Sequence, residues 1–364
     1  MPDNLVSRRP GAARMDKGGT VNKQAVADMR PAVVHLEDPM TLLPLGIDIA
    51  QNKYDVALLV DGRTHTAQFA NTPDQFAQLT AWLQQHGALQ VHACLEATGR
   101  YGDALAAYLH AAGHRVSRIN PARAWAYARS KLTRNKTDRV DAALLADFCR
   151  TQQPRVWTPP APERAELQAL VQHLEALKQM RTQELNRQKA KPPAPAVTQL
   201  LAAHLAFLDD QIAQLQAQIQ ALIDAHPTLS QQQALLVSIP GIGAMTAARL
   251  LAIDLLNFAS TRAVAAYAGL SPSQHTSGTS IHRQTHLSKV GNADLRKALY
   301  LPAVSAIRWN PVLADFAKRL TERGKAKMVI VGAAMRKLLC LAYGVLKSGR
   351  AFDPLFARSA QAAA

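Results

Sequence analysis

The sequence predicts a mixed α/β domain in its first half and a mainly helical region in its second. Between residues 45 and 150, short apolar runs with the two-residue period of strands come first in succession and then alternate with helical segments, which is typical of a mixed sheet. After Pro154 the apolar residues recur every three or four positions instead, as they do along one face of a helix.

The α/β domain is predicted to open with three neighbouring strands, after which helices and strands alternate. Asp61-Gly62 is a hairpin signal between the second strand and the third. Ahead of the strands, residues 1–43 mix Gly, Pro, Arg and Asp without periodicity, so we expect a disordered extension. The predicted strands are 45–50, 54–60, 63–70, 91–96 and 115–119, and the predicted helices are 73–85, 101–112, 123–130 and 138–150.

A heptad pattern in the second half predicts a coiled coil. A stripe of leucines at 167–177 is matched downstream by a second stripe, and Lys191-Pro-Pro-Ala-Pro195 breaks the helix between them. We expect the stripes to pair between subunits, with an antiparallel hairpin within one chain as the alternative. The second stripe has alternating spacings of four and three: Leu201, Leu205, Leu208, Ile212, Leu215, Ile219 and Leu222.

The last region, from 231 to about 350, is predicted to be helical. Ser238-Ile-Pro-Gly-Ile-Gly243 lies between two apolar segments and has the form of a helix-hairpin-helix, although a simple tight turn between core helices is the alternative. The apolar stretch 328–346 carries Arg336 and Lys337 at its centre, so we expect a buried amphipathic helix rather than a membrane span. The predicted domains are 44–152, 160–226 and 231–350, with a tail at 351–364.

The charge balance predicts a polyanionic partner. The 364 residues include 42 Lys and Arg against 26 Asp and Glu, a formal net charge of +16. The excess is concentrated in two stretches: residues 115–139 hold eight basic residues and one acid, and residues 272–350 hold fourteen and three. Aromatic residues make up only 5% of the chain, which argues against a dedicated base-stacking surface and favours contacts with the nucleic-acid backbone.

The cysteines and histidines predict neither a disulfide framework nor a zinc site. Cys94, Cys149 and Cys340 lie far apart without a CxxC pair, so we expect reduced core residues of a cytoplasmic protein. The twelve histidines show no HxH or HExxH pattern. No apolar stretch of the kind found in secretory signals occurs in residues 1–43, and we expect no association with a membrane.

Four acids predict a divalent metal site. Asp48 and Glu96 each lie at or near the end of a strand-like apolar run, while Asp138 and Asp141 are three residues apart at the start of a helical segment and so share one face. Carboxylate oxygens are the ligands that Mg²⁺ prefers, and Mn²⁺ accepts the same set. Four like charges placed together would otherwise repel one another.

Two further acids are expected to play no part in this site. Asp55 follows Asp48 by seven residues on the next strand and could face the same site, but we interpret it as an exposed carboxylate of a strand or turn. Asp147 lies six residues after Asp141, on a different helix face, and is expected to face solvent.

The chain resembles the DEDD transposases of bacterial insertion sequences, the Piv-invertase-like family also known as bridge-RNA-guided recombinases. The resemblance covers nearly everything from Leu45 to Arg350, in matching order and spacing. Its segments are Gly46-Ile-Asp-Ile-Ala50, Glu96-Ala-Thr-Gly99, Asn135-Lys-Thr-Asp-Arg-Val-Asp-Ala142, Ile239-Pro-Gly-Ile-Gly243, Ala266-Tyr-Ala-Gly-Leu270, Ser277-Gly278, Leu287-Ser-Lys-Val-Gly291 and Leu295-Arg296.

The resemblance implies a RuvC-like ribonuclease H fold for 44–152, with the four acids as its metal ligands. It also implies a nucleophilic serine in a Ser-Gly pair, which here falls on Ser277. The residues alone leave that choice open, because a hydroxyl in such a loop is usually a turn former. The same loop also contains Ser271, Ser273, Thr276, Thr279 and Ser280.

The resemblance further implies that the serine and the acids meet across subunits of a dimer or tetramer. It implies that a structured noncoding RNA directs the protein to double-stranded DNA at the element ends and target, much as in other RNA-guided systems. The residues expected to contact nucleic acid are Arg134, Lys136, Arg139, Gly241, Gly243, Arg283, Lys289, Arg296 and Lys297.

Three other functions fit part of the pattern. A RuvC-like junction endonuclease would use the four acids with activated water and form no covalent adduct. An actin-like or sugar-kinase ATPase would need a glycine-rich phosphate loop at the first hairpin, where Gln51-Asn-Lys-Tyr54 supplies none. A DNA-binding protein that has lost catalysis is disfavoured because the acids and the serine are all present.

Overall fold

The computed structural model describes residues 42–97, 99–131, 137–190, 194–274, 276–277, 281–282 and 285–355. The chain divides into two compact units, with the boundary between Pro159 and Pro160. The predicted extension, apart from its last two residues, lies outside the described residues, as do Arg134, Lys136 and Arg283. The finer division of the second unit into a coiled coil and a C-terminal domain stays a prediction.

The first unit is built on a five-stranded mixed sheet with the order β3-β2-β1-β4-β5. The strand β2 runs antiparallel to its neighbours β1 and β3, and β4 and β5 run parallel to β1. The predicted mixed α/β class is confirmed, and each predicted strand is found within two residues. The strands are β1 Leu43–Ile49, β2 Lys53–Val60, β3 Arg63–Ala70, β4 Val91–Glu96 and β5 Arg115–Ile119.

Helices cover both faces of this sheet. The helices α1 and α2 pack on one face through Phe76, Leu79 and Leu105, which share a buried core with the strands. The opposite face carries α4, which lies against β1, β2 and β4. The helices are α1 Pro73–Gln85, α2 Asp103–Ala111, α3 Pro121–Ser130 and α4 Asp138–Gln152.

The second unit is mainly helical. Its long helices α5 Pro162–Lys189 and α6 Pro195–Ala225 pack together as an antiparallel hairpin, with Arg181 paired to Asp209 and Glu184 facing His204. The two apolar stripes therefore pair within one chain, which is the alternative to the pairing between subunits that we expected. The heptad seam is buried as predicted at Leu205, Leu208, Leu215 and Ile219.

Shorter helices and two small strand pairs complete the second unit. Lys327–Ser348 is long and apolar enough to cross a membrane, but ten of its residues are buried in the unit's core, as in the predicted amphipathic core helix. The helices are α7 Pro227–Val237, α8 Ala244–Ile253, the 3-10 turn Leu255–Asn257, α9 Thr261–Tyr267, α10 Ala293–Ala298, α11 Tyr300–Trp309, α12 Pro311–Glu322 and α13 Lys327–Ser348. The strands are β6 Pro272–Ser273, β7 Thr276–Ser277, β8 Ile281–His282 and β9 His286–Leu287.

Candidate active site

Three carboxylates lie side by side across the centre of the sheet. Asp48 on β1 is the register partner of Asp55 on β2. On the other side Ile47 pairs with Leu95, which puts Glu96 at the end of β4 next to Asp48. Because side chains alternate between the faces of a strand, Asp48 lies on the same face as Gly46, the face that α4 covers.

The helix α4 brings two more carboxylates to this row. Its first turn contains Asp138 and Asp141, and Thr137 caps it by accepting a hydrogen bond from the amide of Val140 at 3.3 Å. The acids also suit that position electrostatically, since the N-terminal turn of a helix favours negative charge. All four predicted acids are therefore brought to one place.

Burial and repulsion from the other acids raise the pKa of Asp48. Burial and then the neighbouring charges of Asp141, Asp138 and Glu96 raise the pKa of Asp48 to about 6, from an ordinary 3.8. A divalent cation would remove this repulsion, and the cluster supplies the hard oxygen ligands that Mg²⁺ and Mn²⁺ prefer. The residues present thus fit the divalent metal that the sequence predicts.

The raised pKa of Asp48 predicts a pH-dependent stability in protein freed of divalent metal with EDTA. A carboxyl group with a raised pKa binds its proton more tightly in the folded state, so its stabilising effect is present below about pH 4 and is lost as pH rises to about 6. The Tm of wild type is expected to fall relative to that of Asp48→Asn across this window, as measured by circular dichroism. Parallel curves for the two proteins would contradict the prediction.

The fifth acid of the cluster is one that the sequence analysis set aside. Asp55 is buried, with 3% of its side chain exposed, so the interpretation as an exposed carboxylate was wrong. The Nε2 atom of Gln68 on β3 lies 3.0 Å from each of its carboxylate oxygens, and Lys53 Nζ lies 3.4 Å away. The hairpin register that pairs Asp55 with Asp48 is the signal by which it could have been found.

Asp147 is also held by partners rather than facing solvent as we expected. Lys131, Arg150 and the hydroxyl of Tyr127 each lie 2.7 to 2.8 Å from its oxygens. Partial burial alone would raise the pKa of Asp147, but these three hydrogen bonds outweigh it and hold the pKa at about 2. This ion cluster ties α3 to the middle of α4.

The structure also brings together three residues whose spacing in the sequence gave no metal pattern. The side-chain ligand atoms of His92, Cys94 and Cys149 all lie within 4.8 Å of one another. Cys149 Sγ donates to the carbonyl of His92, and the ring of His92 lies 2.8 Å from Ser117 Oγ. Both thiols are buried, and burial raises the pKa of Cys94, so the geometry fits the expected reduced core thiols.

In the second unit, Ser277 is the last residue of β7. Its register partner is Ile281 on β8, four residues later in the chain. Packing accounts for one of the two glycines of the predicted helix-hairpin-helix. Gly241 has a φ of +105° and lies so close to α11 that a Cβ would come within 2.6 Å of the Ala306 side chain. Gly243 is exposed just before α8, with nothing within 4 Å of a Cβ.

The predicted basic contacts differ in their surroundings. Arg139, Lys289 and Lys297 are exposed. Arg296 is half-buried and donates through Nη1 to the carbonyls of Ala268 at 3.1 Å and Lys289 at 3.3 Å, which gives it a part in holding its own loop. Contact of these residues with nucleic acid stays a prediction.

Comparison with protein families gives two matches in succession. Residues 45–191 match a transposase family of the DEDD, IS110 type. Residues 233–318 match a family described as transposase IS116/IS110/IS902. The first match contains the four acids, and the second contains Ser277.

Relatives cover most of the chain. The pilin gene-inverting proteins of Moraxella lacunata and Moraxella bovis are each 38% identical over 315 residues, which is 85% of this chain and 97% of theirs. An insertion element IS110 protein of Streptomyces coelicolor is 34% identical over 155 residues, 42% of this chain and 37% of its own.

Proposed function

Because the chain belongs to the IS116/IS110/IS902 family of transposases, we propose that it cuts and rejoins DNA through a covalent serine intermediate on Ser277, assisted by divalent metal held by Asp48, Glu96, Asp138 and Asp141. The pilin gene-inverting relatives support the view that the product is recombined DNA, not simply cleaved DNA. The protein is thus an enzyme of DNA recombination.

The observation that carries the proposal is the convergence of the four acids. They come from two strand ends and one helix start, and together with burial they raise the pKa of Asp48 to about 6. Placing several partly buried carboxylates together lowers the stability of a fold, and such clusters of groups with shifted pKa values are typical of functional sites. When bound there, Mg²⁺ or Mn²⁺ would polarise a DNA phosphate and stabilise the charge that develops on it.

The fold around the acids supports a RuvC-like ribonuclease H domain. The sheet order β3-β2-β1-β4-β5 combines three antiparallel strands with two parallel ones, and it places Asp48 on the central strand. The acid-bearing helix α4 lies across the same sheet. In this arrangement the first and fourth strands and the helix each supply part of one ligand set.

The serine step accounts for rejoining without an external energy source. Ser277 Oγ would attack a DNA phosphorus atom, forming a serine–phosphate ester while the bond to one deoxyribose oxygen breaks, and that oxygen leaves with a proton as a hydroxyl group. A hydroxyl of the partner strand then attacks the ester, which restores a phosphodiester and releases the serine. The number of phosphodiester bonds is conserved.

We further propose that the partners are double-stranded DNA and a structured guide RNA, and that the protein works in the cytoplasm as a homo-oligomer, a dimer or tetramer. The formal charge of +16 and the exposed Arg139, Lys289 and Lys297 support binding to nucleic-acid backbones. In this proposal the protein binds the phosphates of the nucleic acid, and base pairing between the guide RNA and the DNA selects the sequence.

A denaturing gel tests the serine assignment. Wild type, co-expressed with its element's flanking noncoding DNA, is incubated with Mg²⁺ and end-labelled element-junction DNA. We expect a labelled band of protein size that is absent from Ser277→Ala. Ser273→Ala is the matched control, because it removes a hydroxyl four residues away on β6, and it should keep the adduct.

The same gel distinguishes the proposed serine recombinase from the alternative function, a junction endonuclease. Cleaved DNA without an adduct, equal in wild type and Ser277→Ala, would identify a metal-dependent junction endonuclease that uses water. If Ser277→Ala keeps the adduct and Ser273→Ala loses it, the nucleophile would be Ser273 and not Ser277.

A further inference from the structure

Three side chains beside the acids form a network that the proposed chemistry does not use. Lys53 Nζ donates a hydrogen bond of 2.7 Å to Asp138 Oδ2 and lies 3.4 Å from Asp55 Oδ2. Gln68 lies 3.0 Å from both oxygens of Asp55. The network therefore links β3 and β2 to the first turn of α4.

The strand register builds this network. Lys53 and Asp55 are two residues apart on β2 and so share one face, and Gln68 is the cross-strand partner of Asp55 on β3. A carboxylate with 3% of its side chain exposed needs partners, and Gln68 and Lys53 supply them. Asp55 is in turn a fixed anchor for the flexible lysine, whose side chain is 43% exposed.

Lys53 places a positive charge next to a group of negatively charged side chains. Five carboxylates lie near one another, since Asp48 feels the charges of Asp55, Glu96, Asp138 and Asp141. The Lys53 ammonium group places a positive charge at this cluster and restrains one of its outermost members, Asp138.

We infer that Lys53 is the counter-ion of the acid cluster: anchored by Asp55 and Gln68, it pairs with Asp138 and offsets the negative charge of the acids before a divalent metal binds. This rests on the proposed function, because it assigns Lys53 a role toward that metal. Asp55 is then a support for the ligand set and not a member of it.

Two opposite effects follow when the charge of Lys53 is removed. The cluster becomes more negative, so a divalent cation binds more tightly because no ammonium group competes with it. The metal-free protein becomes less stable, because repulsion among the acids is less compensated. A lysine with a merely structural role would lower stability without tightening metal binding.

The experiment measures Mn²⁺ binding to the full-length protein by the EPR signal of free Mn²⁺, with the Tm in EDTA as a second readout. Lys53→Met is expected to bind Mn²⁺ about tenfold more tightly than wild type and to melt at a lower temperature in EDTA. Lys53→Arg keeps the charge and should restore both values. Lys53→Gln, a second neutral variant, should give the same result as Lys53→Met. It replaces Lys53→Met in the experiment if Lys53→Met does not fold.

Lys131→Met is the matched control. Lys131 also pairs with an aspartate of the same unit, Asp147 at 2.8 Å, and its side chain is 45% exposed, but it lies outside the acid cluster. Its Mn²⁺ affinity should equal that of wild type.

The outcomes separate the two proposals. Unchanged or weaker Mn²⁺ binding in both neutral variants, while wild type binds, would overturn the role of Lys53 and leave the metal site standing. If wild type itself binds no Mn²⁺, the metal site of the proposed function fails and Lys53 loses its role with it.

Discussion

Asparagine in place of Asp48 is expected to lower the rate of DNA strand cleavage roughly 1000-fold while the protein stays folded. Asp48 is the central member of the acid row, flanked by Asp55 and Glu96, and it lies on the face of the sheet that α4 covers at Gly46. Metal polarisation of a phosphate is worth several kcal/mol, and about 4 kcal/mol corresponds to this rate factor. Single-turnover cleavage of end-labelled element-junction DNA in Mg²⁺ measures the change.

The fold should survive this substitution because it removes a charge from a crowded site. At neutral pH the variant lacks the repulsion that raises the pKa of Asp48, so its Tm in EDTA should be no lower than that of wild type. Asp61→Asn is the matched control, an exposed acid of the β2–β3 hairpin in which asparagine tolerates the φ of +48°. Cleavage by Asp48→Asn within tenfold of wild type would remove Asp48 from the catalytic set.

The convergence of the four acids was predictable because it depends on local sequence patterns. A strand reveals itself by its period, and residues three apart at a helix start share a face whatever surrounds them. The hairpin signal Asp61-Gly62 likewise fixed the pairing of β2 with β3. What these patterns report is which residues face the same way.

Burial of a polar group was not predictable in the same way, because it depends on partners distant in sequence. Asp55 is buried because Gln68, thirteen residues later, meets both of its oxygens. Asp147 is held by Tyr127 of α3, a separate helix, and by Lys131 directly after that helix. Both acids were therefore interpreted as exposed, the usual state of an aspartate.

Pairing of the heptad stripes was undecidable for a related reason. An apolar seam is buried equally well by a helix of the same chain or by one from another subunit, and the heptad period is the same in both cases. The contact of Glu184 with His204 and the pairing of Arg181 with Asp209 are what assign α5 and α6 to one hairpin.

Alanine in place of Gly46 is expected to destabilise the first unit and to abolish metal-dependent cleavage. A Cβ at Gly46 would lie 1.9 Å from the carbonyl oxygen of Ala142 and 2.3 Å from the amide of Ala146, both backbone atoms of α4. Backbone atoms cannot rotate away as a side chain can, so the whole helix must move. Overpacking of this kind typically costs about 1–3 kcal/mol.

The loss of activity should exceed what the loss of stability explains, because α4 carries Asp138 and Asp141 in its first turn. Gly344→Ala is the matched control: it makes the same change at an exposed helical position with nothing within 4 Å, where alanine is favoured by about 0.5–1 kcal/mol. Urea unfolding and Mn²⁺ binding at a temperature where Gly46→Ala remains folded separate the two effects. Wild-type Mn²⁺ affinity in that folded variant would mean that the acids do not depend on how closely α4 approaches β1.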